Sequence, residues 1–480
     1  VIGPNADNFE ALTGNYNGIP EDPVTVLEGI VNKTGKTRDI VYSEGSTLAA
    51  GLSNLVPVPP EYLFTDDGVH GAYAEYYDNI DMEGKPVFTR IDDNIDFYWE
   101  TYSPHKDIPD DNFSVRWTCR LKPPVSGIYS LGGWGSSNYE IYIDGEEFLS
   151  YRNEHHAFHR EKEIRLEKDT EYGVEIIYRN YAGDADMRFL WSVPQEDMTG
   201  EAVRMAESAD IVLLVLGLSQ RLEGEEMPLE IDGFSGGDRT HLRLPEVQRE
   251  LFRELEQTGK PLVVVLMNGS ALAVNEINEK ADAILLAGYP GQEGGNAVAD
   301  VLFGDYNPAG RLPVTWYKSV DQLPPFEDYD MEGRTYRYFG GEPLYPFGYG
   351  LSYTRFEYDG LEVPRRAAAG ETVRVSVNVR NSGQVAGEEV VQLYLKDEEG
   401  TTRRPLHELK RFRRISLEPG QSEKLTFELK KDDFSMINMD GRRVVEPGRF
   451  TVFVGGRQPG YIPHDYAGST GPVSADIIVK

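Results

Sequence analysis

Three kinds of hydrophobic pattern succeed one another along the chain. Continuous apolar runs at 211–216, 262–267 and 283–287 alternate with segments of helical period, and runs apolar on both faces are what a parallel sheet buries. Pro245 opens a helix in which Val247, Leu251 and Leu255 recur and Gly259 stands just past the end; a second helix runs over 293–303 and closes at Gly304. The opening segment continues the theme, with a strand end at 1–3, a helix over 23–31 and a strand at 39–42. This alternation predicts an α/β sandwich built from residues 1–67 and 196–350.

Residues 68–195 interrupt it with a different texture. They carry Trp99, Trp117, Trp134 and Trp191, four of the five tryptophans, and turn signals such as Asp144-Gly145 between alternating runs, the pattern of an all-β module. Insertion at a surface loop is physically reasonable where chain ends lie close together. Over 351–480, Val373, Val375, Val377 and Val379, then Val391, Leu393 and Leu395, then Leu425, Phe427 and Leu429 alternate with polar residues. With turns at Ser382-Gly383, Pro419-Gly420 and Pro447-Gly448, they predict an immunoglobulin or fibronectin type III-like β-sandwich. The fold class is therefore multidomain α/β plus all-β.

Composition narrows the function. A formal net charge of −32 repels phosphate backbones and anionic membrane surfaces, so nucleic acid and membrane are poor partners. The apolar runs are far shorter than the ~20 residues of a spanning helix. A lone Cys119 forms no internal disulfide and no cysteine-based zinc site.

In parallel α/β sheets ligands gather beyond the carboxyl ends of the strands, and the segment after 211–216 is long and acidic. Glu223, Glu225 and Glu226 place three carboxylates within four residues. Mutual repulsion or an apolar setting would raise the pKa of one of them and suit it to general acid work, whereas a solvated acidic loop needs no function. Asn268-Gly269-Ser270 follows a strand and starts a helix, a place where backbone N–H groups can face an anion or hydroxyl, though ordinary capping is the commoner reading. Gly291 to Gly295 lacks both the P-loop lysine and the dinucleotide spacing. His155, His156 and His159 cluster without an HExxH arrangement, Asp184 and Asp186 lack a full calcium ligand set, and no metal site is assigned. The basic residues Arg403, Arg404 and 410–414 read as a solvated strand face.

Several motifs together resemble the carboxyl-terminal half of glycoside hydrolase family 3. They are Val1-Ile2-Gly3-Pro4-Asn5-Ala6-Asp7, Gly14-Asn15-Tyr16-Asn17-Gly18, the Gly224-Glu225 loop ending Gly237-Asp238-Arg239, Leu242 to Gln248, Ala287 to Asn296, Asn307-Pro308-Ala309-Gly310-Arg311-Leu312-Pro313 and Tyr345 to Tyr353. The interruption, opened by Gly71-Ala72-Tyr73 and containing Gly127-Ile128-Tyr129 and Tyr142-Ile143-Asp144-Gly145, resembles a PA14 domain. The tail from Leu351 is similar to the family's fibronectin type III-like domain.

The resemblance implies an exo-acting, retaining β-glycosidase, a β-glucosidase before a β-xylosidase, that releases terminal sugars from an oligosaccharide or glycoside. It places the general acid/base on Glu225, with Glu223 and Glu226 as alternatives one or two residues away. The nucleophile would be an Asp on a preceding amino-terminal barrel, and retention needs two carboxyls ~5–5.5 Å apart. Val1-Ile2-Gly3 reads like the end of a strand whose beginning is missing, so the barrel is expected to be missing and this chain alone inactive. No cofactor is required. Trp99 and Tyr102, in a segment rich in Asp and Pro, are the expected sugar-stacking residues, although most aromatics of such a module fill its core. The expected partners are the glycan substrate and the absent barrel, with a homodimer left open. Trimming of plant or microbial glycans favours a secreted or periplasmic location over the cytoplasm. The alternative from another class is a non-catalytic carbohydrate-binding or adhesive protein.

Overall fold

In the computed structural model the central apolar runs are parallel strands, β1 (Val212–Gly217), β2 (Leu262–Met267) and β3 (Ala283–Leu286), paired in that order. Val215 stands opposite Val265, which stands opposite Leu285. Ile2 extends the array on the β1 side through parallel bridges to Leu214 and to Ser43. The strand expected at 39–42 is reduced to that single bridge at Ser43.

The structure describes residues 1–18, 20–52, 55–152, 158–194, 197–227, 229–460 and 470–480. Around the sheet run α1 (Val26–Thr34), α2 (Met198–Ser208), α3 (Glu246–Glu256), α4 (Asn275–Lys280) and α5 (Gly294–Phe303). A capping box starts α1: the Glu28 amide donates to Thr25 Oγ1 (3.2 Å) and the Thr25 amide to Glu28 Oε2 (2.9 Å). Val26 and Ile30 of α1 and Val298 and Ala299 of α5 share one core with Val215, Val265 and Met267. The two helices approach closely because both carry glycine at the crossing. A Cβ on Gly29 would stand 2.1 Å from the Gly295 carbonyl oxygen. Leu214, Leu216, Val264 and Leu266 point the other way and are equally buried, which is why these strands read as unbroken apolar runs.

The chain divides into two compact units, Val1–Ser46 with Thr199–Lys480, and Thr47–Met198. The second is a sandwich of two antiparallel sheets. Trp117, Trp191, Tyr76, Tyr129, Tyr139, Tyr178, Phe113 and Phe189 fill its core. Asp92 satisfies two buried donors there, Tyr76 Oη (2.6 Å) and Trp117 Nε1 (2.8 Å). Val56–Pro57 pairs with Ala185–Ser192, and Leu63–Phe64 with Phe113–Leu121. The all-β unit therefore starts before the Gly68 boundary read from the sequence; those two short strands carry too little alternation to announce themselves.

The carboxyl-terminal sandwich has one sheet of β4 (Phe356–Glu362), β5 (Val373–Asn381) and β8 (Ser422–Leu429). The other holds Arg366–Ala367, β10 (Val473–Val479), β9 (Gly448–Gly455), β6 (Gly387–Asp397) and β7 (Glu408–Leu417), in that order. Within the first unit, Arg311 ties this sandwich to the α/β part: its Nη2 donates to the buried Glu389 Oε2 (2.8 Å) and its Nε to the Gly456 carbonyl (3.2 Å). Tyr358 Oη donates to the other Glu389 oxygen (2.7 Å). Among the described residues no helix is long and apolar enough to cross a membrane.

Candidate active site

The loops leaving the carboxyl ends of β1, β2 and β3 meet over one carboxylate. At the end of β1 the buried Gln248 side chain brackets Gly217, accepting from its amide (2.9 Å) and donating to its carbonyl (2.8 Å). The chain then turns through Ser219, whose carbonyl accepts the Leu222 (2.9 Å) and Glu223 (3.1 Å) amides. Beyond Glu223 the loop doubles back as three short antiparallel strands, Glu230–Ile231, Phe234–Ser235 and Asp238–Arg239. Its two limbs touch at Gly224 and Gly237. Gly237 has φ +90°, and a Cβ there would lie 1.9 Å from the Gly224 carbonyl oxygen, so only glycine fits. Farther along, the Met227 amide donates to the Gly236 carbonyl (3.0 Å). Glu225 and Glu226 thus occupy a two-residue projection with both ends pinned, and Glu226 itself sits at φ +49°.

The three acidic residues have different surroundings. Glu223 is half-buried and bound to its own lobe: the Gly269 amide (2.7 Å) and Tyr289 Oη donate to Oε1, and Ser270 Oγ donates to Oε2 (2.5 Å). Ser270 Oγ also accepts from Arg239 Nη1 (2.9 Å), and Arg239 is fixed by the carbonyls of His241 (3.1 Å) and Arg243 (3.1 Å) and by the face of Phe234. Burial pulls the Arg239 guanidinium downward in pKa while the Glu223 charge opposes that; burial, then Glu223, pushes the Tyr289 phenol far above its ordinary range. Glu225 and Glu226 are exposed. Glu225 Oε2 accepts from Tyr16 Oη (2.5 Å), and that bond followed by the charge of Glu225 raises the pKa of the Tyr16 phenol. Tyr16 is 83% exposed and has φ +57°, a rare backbone state for a large residue.

Asn268-Gly269-Ser270 does not cap a helix, since α4 starts only at Asn275; its amide and hydroxyl clamp Glu223 instead. Tyr289 closes the clamp, and its ring passes so near Gly14 and Gly269 that a Cβ on either would stand 3.0 Å from it. Ser270 and Tyr289 were missed as site residues. Their only signal was position, one at the end of each of two neighbouring parallel strands.

Trp99 is half-buried against the all-β core, stacked on Phe97 (5.1 Å between centroids) and Trp117 (6.4 Å) and edge-on to Phe113 (5.8 Å). Tyr102 is 65% exposed. Asp186 is buried, accepts from Trp134 Nε1 (2.7 Å) and the Ser136 amide, and its carboxyl is pushed up in pKa by burial; it is a core anchor and not an open ligand. His155 and His156 lie outside the described residues. Among the described residues no group of three or more His, Cys, Asp or Glu is placed to hold a metal.

The description "Glycosyl hydrolase family 3 C-terminal domain" matches residues 1–353. The chain belongs to glycosyl hydrolase family 3. A fibronectin type III-like domain matches residues 389–458. Among curated relatives of this family 3 chain, a xylan 1,4-beta-xylosidase of Xylanibacter ruminicola is 35% identical over 95% of the chain and 52% of its own length. A periplasmic beta-glucosidase of Salmonella typhimurium is 42% identical over 54% of the chain and 34% of its own length.

 The crystal structure of a beta-glucosidase from Kluyveromyces marxianus in complex with glucose superposes on 100% of the chain and 58% of its own, at 26% identity and a TM-score of 0.73. The chain thus spans about half the length of the relatives that align along most of it.

Proposed function

We propose that this family 3 chain supplies the acid/base half of an exo-acting, retaining β-glycosidase, with Glu225 as the proton donor. The observation that carries the reading is the contrast between two neighbouring glutamates. Among the described residues, Glu223 spends its oxygens on three donors of its own lobe, whereas Glu225 projects into solvent with only Oε2 engaged, by Tyr16. A general acid must bring an uncommitted oxygen within hydrogen-bond reach of the leaving group, and Glu225 has one. In the first step Glu225 gives its proton to the glycosidic oxygen as a nucleophilic carboxylate from a partner lobe attacks the anomeric carbon. In the second it takes a proton from water as the glycosyl ester is hydrolysed.

The partner lobe, a barrel bearing the nucleophile Asp, lies outside these 480 residues in this reading. The all-β unit is taken as a PA14-like module whose exposed Tyr102 faces glycan. Relatives named for xylosides and for glucosides both align along 95% of the chain, so the substrate is the non-reducing terminal glucose or xylose of a short β-linked glycan. The test is proton NMR of the first product formed from aryl β-xyloside and aryl β-glucoside by the protein that carries both lobes. The β-anomer as first product is expected. The α-anomer, or no cleavage of either substrate, refutes the reading.

A further inference from the structure

We infer that the loop 324–334 is a glycan-binding platform, built from other residues than the acid/base loop, on which Phe326 and Tyr329 stack a neutral β-linked sugar chain. Phe326 is 91% and Tyr329 96% exposed, the barest aromatic side chains among the described residues. The loop that carries them is braced. Arg334 reaches back across it: Nη2 donates to the carbonyls of Pro325 (2.8 Å) and Asp328 (2.6 Å), and Nε to that of Asp330 (3.2 Å). The Asp328 amide closes a turn on the Pro325 carbonyl (3.0 Å). The side chains of Asp328 and Asp330 each accept the amide two residues on, from Asp330 (2.9 Å) and Glu332 (3.0 Å). From outside the loop, Arg403 pairs with Asp330 and with Glu332 (3.0 Å), and the Thr335 amide donates to Tyr317 Oη (2.9 Å). Two aromatic rings are thus held out in water on a fixed segment, where burial contributes nothing to their place in the fold.

The residues around the rings select the occupant. Glu327 and Asp328 stand between them in the chain. Among the described residues Glu327 makes no ion pair and Asp328 engages only Oδ1, so both keep oxygens for hydroxyl donors. Rings that pack on the C–H face of a sugar, with carboxylates between them to take its hydroxyls, complement a neutral glycan. Three residues apart, the two Cα atoms lie at most about 11 Å from each other, within the span of one short oligosaccharide. A loop braced in advance loses little freedom on binding. A protein interface fits less well, since its core excludes carboxylates and here they separate the rings. A second copy would also bring a second charge of −32. A basic peptide gains little, because Arg334 and Arg403 already set positive charge against the loop's carboxylates.

This inference rests on the reading that the protein works on glycans, but its test does not use activity. Binding of the whole chain to xylohexaose and to cellohexaose is measured by calorimetry at low and at physiological salt, beside hexagalacturonate and hexalysine. One of the neutral hexamers is expected to bind best, and equally at both salt concentrations. Phe326→Ala and Tyr329→Ala are each expected to lower its affinity about three- to tenfold, and Tyr329→Phe to keep it. Both side chains are almost fully exposed, so the variants are expected to unfold in urea as the parent does. Variants that bind the neutral hexamers like the parent, tighter binding of hexagalacturonate or hexalysine, or no binding of either neutral hexamer overturn the inference. An active two-lobed enzyme with any of those outcomes refutes the platform alone. Ring-dependent binding beside a two-lobed protein that cleaves neither aryl glycoside refutes the glycosidase reading alone.

Discussion

Glu223→Ala removes the one acceptor shared by three loops. It leaves the Gly269 amide, Ser270 Oγ and Tyr289 Oη without their partner and cuts the link from Arg239 through Ser270. A hydrogen bond to a charged acceptor nets about 1.5–3 kcal/mol. Because three donors converge on one half-exposed carboxylate, the losses do not add, and about 2–3 kcal/mol is the expected total. That corresponds to about 30- to 150-fold faster hydrogen exchange at the Gly269 amide and along 219–239. Glu223→Gln is the control. Its carbonyl keeps Gly269 and Tyr289, and its amide can donate to a rotated Ser270 hydroxyl, so the loss falls to about 1 kcal/mol. The assay is exchange read by mass spectrometry on peptides covering 219–239 and 268–272. Exchange within twofold of the parent in the alanine variant would refute the clamp.

Tyr16→Phe is expected to slow cleavage of substrates with poor leaving groups by about three- to tenfold while sparing activated aryl glycosides, read as kcat/KM across both classes; equal loss on both would make Tyr16 merely structural. Arg311→Met leaves Glu389 buried without its cation, where burial already pushes the carboxyl up in pKa, and is expected to cost about 3–5 kcal/mol in urea denaturation, most of it recovered in Arg311→Met with Glu389→Met. Burial against Tyr336 and Tyr394 pushes His407 down to about 4. The unfolded chain therefore takes up the proton first, so His407's contribution is whole above about pH 6.5 and falls by about 1.4 kcal/mol per pH unit on acidification toward pH 4. His407→Gln should flatten the pH dependence of the urea midpoint by that one proton.

The parallel strands and both long helices of the α/β part were legible because burial on two faces, or on one helical face, writes itself into spacing. Residues 262–267 needed no correction, and α3 begins directly after Pro245. The valines of β5 alternate as expected and are fully or almost fully buried. What stayed hidden depends on contacts between distant residues. The start of the all-β unit rests on two strands of two residues each, and the strand at 39–42 had composition but found only one bridging position. Trp99 sits in a polar stretch, yet three aromatic rings draw it inward. In the acidic loop, spacing left Glu223, Glu225 and Glu226 equivalent. They separate only through Gly269, Ser270 and Tyr289, which reach Glu223 from two other strand ends, and through Tyr16, which reaches Glu225 from the opening segment.

The most direct test of the assignment to Glu225 is a leaving-group series. In the two-lobed protein, Glu225→Gln and Glu223→Gln are compared on aryl β-glycosides whose phenols span weak to strong acids. The account predicts that Glu225→Gln loses rate steeply as the phenol becomes a weaker acid and is nearly unimpaired on the most activated member, while Glu223→Gln is slowed evenly. A steep dependence in Glu223→Gln with an even one in Glu225→Gln would contradict it.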